Sequence, residues 1–483
     1  MKIKKVLLLV PRYAKSRYRS NLGAGIGYIA EALYENGIEY RYLDMAFADS
    51  AKTLSGTLKE FRPDLIGISM LTFRYKDHYR LARYIKDTLS RALVGVGGAH
   101  ACLCAGKILE DCPSVDIVFR GEGERALIDL CNGKDCSEIR GLIYSDNGKI
   151  KDTGKTDFIY DLDSLSFPRY RGFALERYID RRFNVMPVIS SRGCPYQCSY
   201  CPVEQSMGCD FRMRSATGII DEIEYWFTRG YYRFSISDDN FTLDRARVVK
   251  ICAELKKRNL KGLKLSCDNG IRADRVDRAL LGMMKEAGFW RIAYGVEAGN
   301  DKILCALGKG LDLATTEKAI KDACDLGYTV RLFFLIGSPK ETWSDFEDSL
   351  RLAKKYPVFE VSFYHIIPYP GTSLFSWIQD NGCFLDRPEN YLHYAAGKMN
   401  IPVFYTREFS LKERESAFIY ARKVSSKIVK AALKEKLKSF GLLGSLVSEL
   451  YGINLFNRLL EWPLSRKLIL RFLKHFIDKV LAS

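Results

Sequence analysis

Short apolar runs alternate with helix-like segments along the first 135 residues of the chain. Most of these runs are uninterrupted, which is typical of strands that are covered on both faces of a parallel sheet. The segments between them repeat apolar residues every three or four positions, as helices do. We therefore predict a doubly wound, flavodoxin-like α/β domain over residues 1–135. Its predicted strands are 6–10, 40–44, 65–71, 94–96 and 117–120.

A second series of strands and helices follows a polar, turn-rich stretch that we assign to a linker at 136–182. Within this stretch, Asp146-Asn147-Gly148 is a hairpin-turn sequence. Six apolar strands with helical segments between them then indicate a partial (β/α)6 barrel over residues 183–400. The predicted strands are 186–190, 234–237, 263–267, 292–296, 330–336 and 361–367.

The final region, residues 401–483, has a helical pattern and no strand signal. Near its end, Leu468, Phe472 and Phe476 share one helix face, and Arg471 and Lys474 lie opposite. This basic amphipathic helix either packs on the barrel or docks on a membrane surface, and the pattern leaves both readings open. No apolar run reaches the ~18 residues that a membrane-spanning helix needs.

The charge of the chain is concentrated near its end. The formal net charge is +17, and residues 407–483 contribute sixteen basic and seven acidic side chains. The body of the protein is only mildly basic, so a nucleic-acid groove is not expected, and the basic surface favours an anionic partner. The apolar run at 6–10 is too short for a secretory signal. We predict a cytoplasmic protein, with peripheral contact to the inner face of the membrane as an open option.

Three cysteines, Cys194, Cys198 and Cys201, directly follow the first strand of the second series. A zinc site would need a fourth cysteine or a histidine nearby, and the five histidines are scattered. A disulfide is not expected in a reducing compartment. An iron-sulfur cluster of the four-iron type takes four ligands, so three thiolates would leave one iron open. The spacing favours such a cluster.

The Cys-x3-Cys-x-aromatic-Cys pattern of Cys194, Cys198, Tyr200 and Cys201 resembles that of radical S-adenosylmethionine (SAM) enzymes. The resemblance implies that the open iron of a 4Fe-4S cluster binds SAM, and that an electron from the cluster cleaves SAM to methionine and a 5'-deoxyadenosyl radical. It also implies an electron donor such as a flavodoxin or a ferredoxin.

Polar and glycine-rich motifs at the ends of the predicted barrel strands agree with this resemblance. Carboxylates there can bind the SAM amino group or ribose, and glycines allow close approach to adenine. Each of these side chains could instead serve as a helix cap or an ion-pair partner. The expected SAM contacts are Asp239, Glu297, Tyr200 and Gly337, with Arg272 or Arg214 for the carboxylate.

The N-terminal domain resembles the cobalamin-binding domain of B12-dependent radical SAM enzymes. The resemblance implies that cobalamin contacts the strand ends at Ser69, Gly97, Gly98, Gly121, Glu122 and Gly123. The Asp-x-His-x-x-Gly signature, whose histidine ligates cobalt in other B12 proteins, is absent. His100 has Gly98 two positions before it and Leu103 three positions after it, so we expect it near the cofactor but not on the metal. The alternative is a degenerate domain that serves packing or substrate binding.

Together these features predict cobalamin-dependent methylation of an unactivated carbon on a small hydrophobic or lipid-like substrate. A radical SAM cyclase, rearrangement or carbon-carbon coupling enzyme with the same cofactors is the alternative. A methylthiotransferase acting on tRNA or a ribosomal protein would need a second three-cysteine cluster, and the segment after strand one has no cysteine. A purely nucleic-acid-binding or membrane-binding protein would leave the three cysteines unexplained.

Overall fold

The computed structural model describes residues 2–11, 22–47, 50–178, 185–381, 383–394, 401–438 and 441. Its first sheet has seven strands in the order β2-β1-β3-β4-β5-β6-β7, of which the first five are parallel. The predicted doubly wound domain is confirmed. The strands are β1 (Lys5–Val10), β2 (Glu39–Asp44), β3 (Leu65–Ser69), β4 (Leu93–Gly97), β5 (Ile117–Phe119), β6 (Leu142–Asp146) and β7 (Lys149–Asp152).

The predicted hairpin turn is present, but it belongs to the first sheet and not to a linker. Asn147 and Gly148 both have positive φ, as a two-residue hairpin turn requires. The hairpin extends the sheet because β6 pairs antiparallel with β5 and buries Leu142 and Ile143. The linker that we predicted from residue 136 therefore begins only after β7.

The second sheet has six parallel strands in the order β15-β14-β13-β12-β11-β8, so the predicted partial barrel is confirmed. A two-stranded antiparallel ribbon, β9 (Ser191–Arg192) with β10 (Arg212–Met213), follows the first barrel strand and was not predicted. The barrel strands are β8 (Met186–Val188), β11 (Arg233–Ile236), β12 (Lys264–Ile271), β13 (Phe289–Glu297), β14 (Thr329–Ile336) and β15 (Glu360–His365).

Helices connect the parallel strands in both domains. In the first domain they are α1 (Ala24–Glu35), α2 (Ser50–Phe61), α3 (Tyr75–Thr88), α4 (Ala99–Asp111) and α5 (Glu124–Cys131), and the connection carries α6 (Leu175–Tyr178). In the barrel they are α7 (Val203–Met207), α8 (Ala216–Phe227), α9 (Arg245–Arg258), α10 (Arg278–Glu286), α11 (Asp301–Ala306), α12 (Leu313–Asp325) and α13 (Trp343–Lys355). The C-terminal part adds α14 (Ser373–Asp380), α15 (Pro388–Tyr394) and α16 (Leu411–Lys436).

The connection between the domains packs into a shared core. Tyr42 of β2 stacks on Phe173, with ring centroids 3.6 Å apart. Gly27 of α1 makes room for the neighbouring Tyr170, since a Cβ at position 27 would lie 2.5 Å from the Tyr170 ring. The first sheet and the barrel are therefore held in contact by buried aromatic side chains.

Helix α16 is an integral part of the barrel. A capping box formed by Ser410 and Glu413 starts it. Its buried face, which includes Arg414, Ala417 and Ala421, lies against β15 and α13. The helical prediction is confirmed here, whereas the amphipathic helix predicted around 468–480 lies outside the described residues. None of the described helices has the length and apolar character required to cross a membrane.

Candidate active site

A cleft lies where the strand ends of the first sheet face those of the barrel. The barrel side contributes polar atoms of Ser191, Arg192, Ser237 and Asp239. The opposite side combines glycines with apolar side chains such as Ile26, Ile29 and Phe119, and it leaves room for a broad, flat ligand. Its glycines are Gly25, Gly67, Gly95, Gly97, Gly98, Gly121 and Gly123.

All six residues predicted to contact cobalamin line this cleft, namely Ser69, Gly97, Gly98, Gly121, Glu122 and Gly123. Gly98 has a φ of 104°, and a Cβ there would approach the Met70 carbonyl oxygen to 3.0 Å. Glycine at this position thus keeps the turn after β4 close to the neighbouring strand. Glu122 differs from the other five because its carboxylate is engaged by two arginines of the barrel.

The structure does not bring the His100 side chain into the cleft, although Gly98, two residues before it, lines the cleft. The His100 side chain is only 1% exposed and stacks on Tyr75, with ring centroids 4.4 Å apart. Burial lowers the pKa of His100 to about 3, so the ring is neutral. No histidine in the described part of the chain lines the cleft.

The segment that connects β9 to β10, residues 193–211, carries the three cysteines and is called the cysteine loop. Cys194, Cys198 and Cys201 are free thiols that are each partly exposed. No three histidine, cysteine, aspartate or glutamate side chains in the described ranges converge on a single metal ion, which is compatible with thiolates that each bind a different iron of a cluster. Burial raises the pKa of Cys194 and that of Cys201, the latter to about 11. Iron would therefore replace thiol protons, and the donor set suits a 4Fe-4S cluster with one open iron.

Backbone hydrogen bonds attach the middle of the loop to the barrel. The Ser199 amide donates to the Leu307 carbonyl, and the Leu374 amide donates to the Ser199 carbonyl, each at 2.9 Å. Gly193 has a φ of 84°, and a Cβ there would clash with the Asp210 carbonyl oxygen. The three thiols thus lie on a loop whose path is determined by the surrounding backbone.

A buried ion pair lies beside this loop at the end of β13. Lys309 Nζ is 2.9 Å from Glu297 Oε1 and 3.4 Å from the Tyr200 hydroxyl. Glu297 has a φ of 68° at a register shift between β13 and β14. Such bulges redirect side chains and are concentrated near active sites. Gly295 makes space for the pair, because a Cβ there would lie 2.5 Å from Glu297 Oε1.

Sequence reasoning missed Lys309. It follows α11 in Gly308-Lys309-Gly310, a segment with no motif that we used. Although burial opposes it, the carboxylate of Glu297 and the thiol of Cys198 raise the pKa of Lys309. This ammonium group is therefore a permanent positive charge next to the cysteine loop.

The two adjacent aspartates at the end of β11 have different roles. Asp238 is buried and accepts hydrogen bonds from the Ser190 amide and the Ser191 hydroxyl, both at 2.6 Å. Asp239 remains accessible at the cleft. The surrounding protein and the neighbouring Asp238 raise the pKa of Asp239 to about 6. Asp239 is thus the carboxylate that a ligand can reach.

The structure gives Arg214 and Arg272 packing roles. Arg214 is buried, forms an ion pair with Glu222 and donates to the Ile189 carbonyl at 3.0 Å. Because these contacts occupy the Arg214 guanidinium group, they argue against the predicted contact between Arg214 and SAM. Arg272 lies 3.5 Å from the centre of the Tyr196 ring in the cysteine loop and donates to Asp274 and to the Lys309 carbonyl, each at 2.9 Å.

Gly337 also has a structural explanation. Its φ is 96°, and a Cβ there would lie 2.2 Å from Arg414 Nη1 of α16. The Gly337 amide donates to Glu341 Oε2 at 2.6 Å. Glycine is therefore required for the packing of α16, independently of any contact with adenine.

Family models match both halves of the chain. Residues 22–130 match the B12 binding domain, and residues 188–353 match the Radical SAM superfamily. An uncharacterized methyltransferase of Pyrococcus horikoshii is 30% identical over 398 residues, which are 80% of this chain and 85% of the relative. A cytidylyl-2-hydroxyethylphosphonate methyltransferase of Streptomyces wedmorensis is 29% identical, over 84% of this chain and 87% of the relative.

Two further relatives carry other activities in their names. The anaerobic magnesium-protoporphyrin IX monomethyl ester cyclase of Cereibacter sphaeroides is 26% identical, over 74% of this chain and 60% of its own length. The hopanoid C-3 methylase of Methylococcus capsulatus is 26% identical, over 73% of this chain and 67% of its own length.

Two solved structures share the fold. The radical SAM methyltransferase TsrM from Kitasatospora setae, solved with cobalamin and a 4Fe-4S cluster, has a TM-score of 0.70 and 20% identity, over 79% of this chain and 75% of that chain. The cobalamin-dependent radical SAM enzyme OxsB, solved with aqua-cobalamin and SAM, has a TM-score of 0.74 and 16% identity. The match covers 98% of this chain and 75% of that chain. The predicted cofactor set is confirmed at the level of the matched domains. The chain belongs to the cobalamin-dependent radical SAM enzymes.

Proposed function

We propose that this enzyme methylates an unactivated carbon of a small hydrophobic or lipid-like substrate. The observation that carries the proposal is one cleft, in which the glycine-lined strand ends of the first domain face Asp239 and Arg192, two residues before Cys194. A cobalamin and a SAM molecule bound on these two sides would share one space. When bound, the cofactors supply a 5'-deoxyadenosyl radical and a transferable methyl group.

The protein's own contribution is to bind and orient these groups. Cys194, Cys198 and Cys201 hold the cluster, and a flavodoxin or a ferredoxin reduces it. Asp239 accepts the SAM amino group, while Glu297 and Lys309 offer a carboxylate and an ammonium group for the ribose and the SAM carboxylate. The backbone of the turns at Ser69, Gly97, Gly98, Gly121 and Gly123 supports the corrin face.

Anaerobic reconstitution tests the proposal without knowledge of the substrate. The holoenzyme is reduced and supplied with SAM that is radiolabelled in its methyl group. We expect 5'-deoxyadenosine, S-adenosylhomocysteine and label on the bound cobalamin. A holoenzyme that makes 5'-deoxyadenosine and never labels its cobalamin would contradict methylation. It would favour the second candidate, a cyclase or rearrangement enzyme, which the magnesium-protoporphyrin relative supports.

A lipid-like substrate is supported by the hopanoid methylase relative and by the surface of α16. Ile419 is 58% exposed on this helix, and Tyr420 beside it is also exposed. Both residues line a groove that is also lined by three basic side chains, Arg422, Lys423 and Lys427. We infer that this face binds an anionic membrane surface, where each basic residue contributes about 1 kcal/mol.

Vesicle co-sedimentation tests the membrane contact. Arg422→Glu, Lys423→Glu and Lys427→Glu together should abolish binding of the full chain to phosphatidylglycerol vesicles, and salt should release the wild type. The control reverses three exposed lysines of the barrel, Lys250, Lys257 and Lys261, and should still bind. Equal binding of both variants would exclude the α16 surface. Charge reversal is preferred to a chain that ends at Thr406. Such a truncation would also remove Arg414 of α16, which packs on Gly337.

A further inference from the structure

Four charged side chains are buried where the first domain meets the cysteine loop. Arg192 Nη1 lies 2.8 Å from Glu122 Oε1, and Arg192 Nη2 lies 2.7 Å from Glu124 Oε1. Arg212 Nη1 lies 2.8 Å from both oxygens of Glu122. All four side chains are less than a tenth exposed. Buried charges of this kind are tolerated only when they are paired and hydrogen-bonded.

The two arginines stand at the two ends of the cysteine loop. Arg192 is two residues before Cys194, and it pairs with Arg212 in the β9–β10 ribbon. Arg212 Nη2 also donates to the Met207 carbonyl at 2.8 Å, at the end of the helix that follows Cys201. The Cys194 amide donates to the Gly208 carbonyl at 3.3 Å. A carboxylate that binds both arginines therefore holds both ends of the loop.

The carboxylates come from the turn that forms one wall of the cleft. Glu122 lies between Gly121 and Gly123, which line the cleft as well. Glu122 Oε2 also accepts the Ile159 amide at 2.7 Å, so the side chain is held on the connection between the domains. One short turn thus contacts the space assigned to cobalamin and the loop assigned to the cluster.

We propose that Glu122 is a positioning residue that sets the placement of the cysteine loop relative to the cobalamin cleft. This inference rests on the proposed use of the cleft by cobalamin and SAM. Glu122 lines the cleft, and its carboxylate oxygens are bound to Arg192, Arg212 and the Ile159 amide. A shift of the loop would change the distance between the two cofactors, to which radical transfer is sensitive.

Glu122→Gln tests this role because it preserves the shape of the side chain and removes its charge. Arg192 would then keep Glu124, whereas the buried guanidinium group of Arg212 would lose its carboxylate. Glu31→Gln is a matched control. Glu31 is equally buried and forms ion pairs with Arg169 and Arg171 between α1 and the connection, away from the cleft.

The first readout is amide hydrogen exchange in the cofactor-free full chain. In Glu122→Gln we expect exchange in peptides covering 192–208 to become about tenfold faster, with little change in α8. Glu31→Gln should leave the cysteine loop unchanged. Equal exchange in the loop of both variants and the wild type would overturn the proposal.

The second readout is electron paramagnetic resonance of the reduced holoenzyme with cob(II)alamin bound. Glu122→Gln should alter the magnetic interaction between cluster and cobalt and slow SAM cleavage by about tenfold. Cobalamin uptake should persist. Glu31→Gln should match the wild type in the magnetic interaction, in the rate of SAM cleavage and in cobalamin uptake. A Glu122→Gln spectrum identical to the wild type would refute the positioning role, whereas a wild type that takes up no cobalamin would refute the proposed function itself.

A second variant, which keeps the positive charge at position 192, tests the proposal even if Glu122→Gln does not fold. Arg192→Lys retains a cation but loses the forked geometry that contacts Glu122 and Glu124 together. It should shift exchange and spectrum in the same direction as Glu122→Gln. If Glu122→Gln is too unstable to purify, an Arg192→Lys variant that is indistinguishable from the wild type would be sufficient to reject the proposal.

Discussion

Lys309 Nζ and Glu297 Oε1 form a buried ion pair 2.9 Å apart, and Tyr200 of the cysteine loop borders it. The two residues come from different segments, the end of β13 and the turn after α11. Their juxtaposition puts one negative and one positive group beside the proposed cluster. Such a pair is suited to a zwitterionic ligand, which carries both charges itself.

Replacement of this lysine should weaken SAM binding. Lys309→Met removes a buried charged donor and leaves Glu297 without its cation, so we expect the Kd for SAM to rise by about 10- to 100-fold. Equilibrium dialysis with labelled SAM measures it, and iron content should be unchanged. Lys302→Met, which breaks the more exposed pair with Asp345, is the control. Unchanged affinity in Lys309→Met would contradict the assignment.

Loss of any one cluster cysteine should abolish the chemistry. In Cys194→Ala, Cys198→Ala or Cys201→Ala two thiolates remain, which cannot hold a four-iron cluster with one open site. Iron and sulfide analysis and 5'-deoxyadenosine production after reduction measure the effect. Cys209→Ala, which replaces an exposed cysteine near the C-terminal end of the loop, should behave as wild type. Deoxyadenosine formation by any of the three variants would rule out the cluster assignment.

A side chain on the cleft wall should exclude cobalamin. Gly25 lies in a helix and a Cβ there meets nothing within 4 Å, so Gly25→Leu should fold while its side chain enters the cleft. Such overlap costs about 1–3 kcal/mol, or about 5- to 150-fold in cobalamin affinity. Gly56→Leu, another helical glycine with open space but outside the cleft, is the matched control. Equal affinities would place cobalamin elsewhere.

SAM binding should depend on the protonation of Asp239. Because its pKa is raised to about 6, Asp239 is charged above that pH and neutral below it. The affinity for the SAM ammonium group should therefore be highest near neutral pH. Below pH 6 it should decrease, approaching about a tenfold loss per pH unit. Asp239→Asn should bind weakly at every pH, with a flat profile over this range. A variant that keeps the wild-type pH dependence would show that another group titrates.

Cobalt should carry no histidine ligand from the described part of the chain. His100 is buried against Tyr75, and the cleft wall contains no imidazole among the described residues. The paramagnetic resonance spectrum of bound cob(II)alamin should therefore be identical in unlabelled protein and in protein that contains heavy-nitrogen histidine. A change in the splitting on labelling would identify a histidine on the metal.

The sequence by itself determined the fold class, the order of the two domains and the three cysteines. Hydrophobic periodicity reports which faces are buried, and the metal-ligand motif is local, so Cys194, Cys198 and Cys201 are recognisable from spacing alone. Four of the seven glycines that line the cleft, Gly97, Gly98, Gly121 and Gly123, were also predicted, because turns at the ends of parallel strands meet along one edge of the sheet.

Only the tertiary structure decided which charged residues can reach a ligand. Local sequence does not separate Asp238, whose oxygens are used by Ser190 and Ser191, from Asp239, which faces the cleft. The sequence offered Arg214 for the SAM carboxylate, yet Arg214 is buried and paired with Glu222, whereas Lys309 beside the cysteine loop carried no sequence signal. The partners of a charged side chain come from segments that are distant in sequence, so its free or occupied state depends on how the two domains pack.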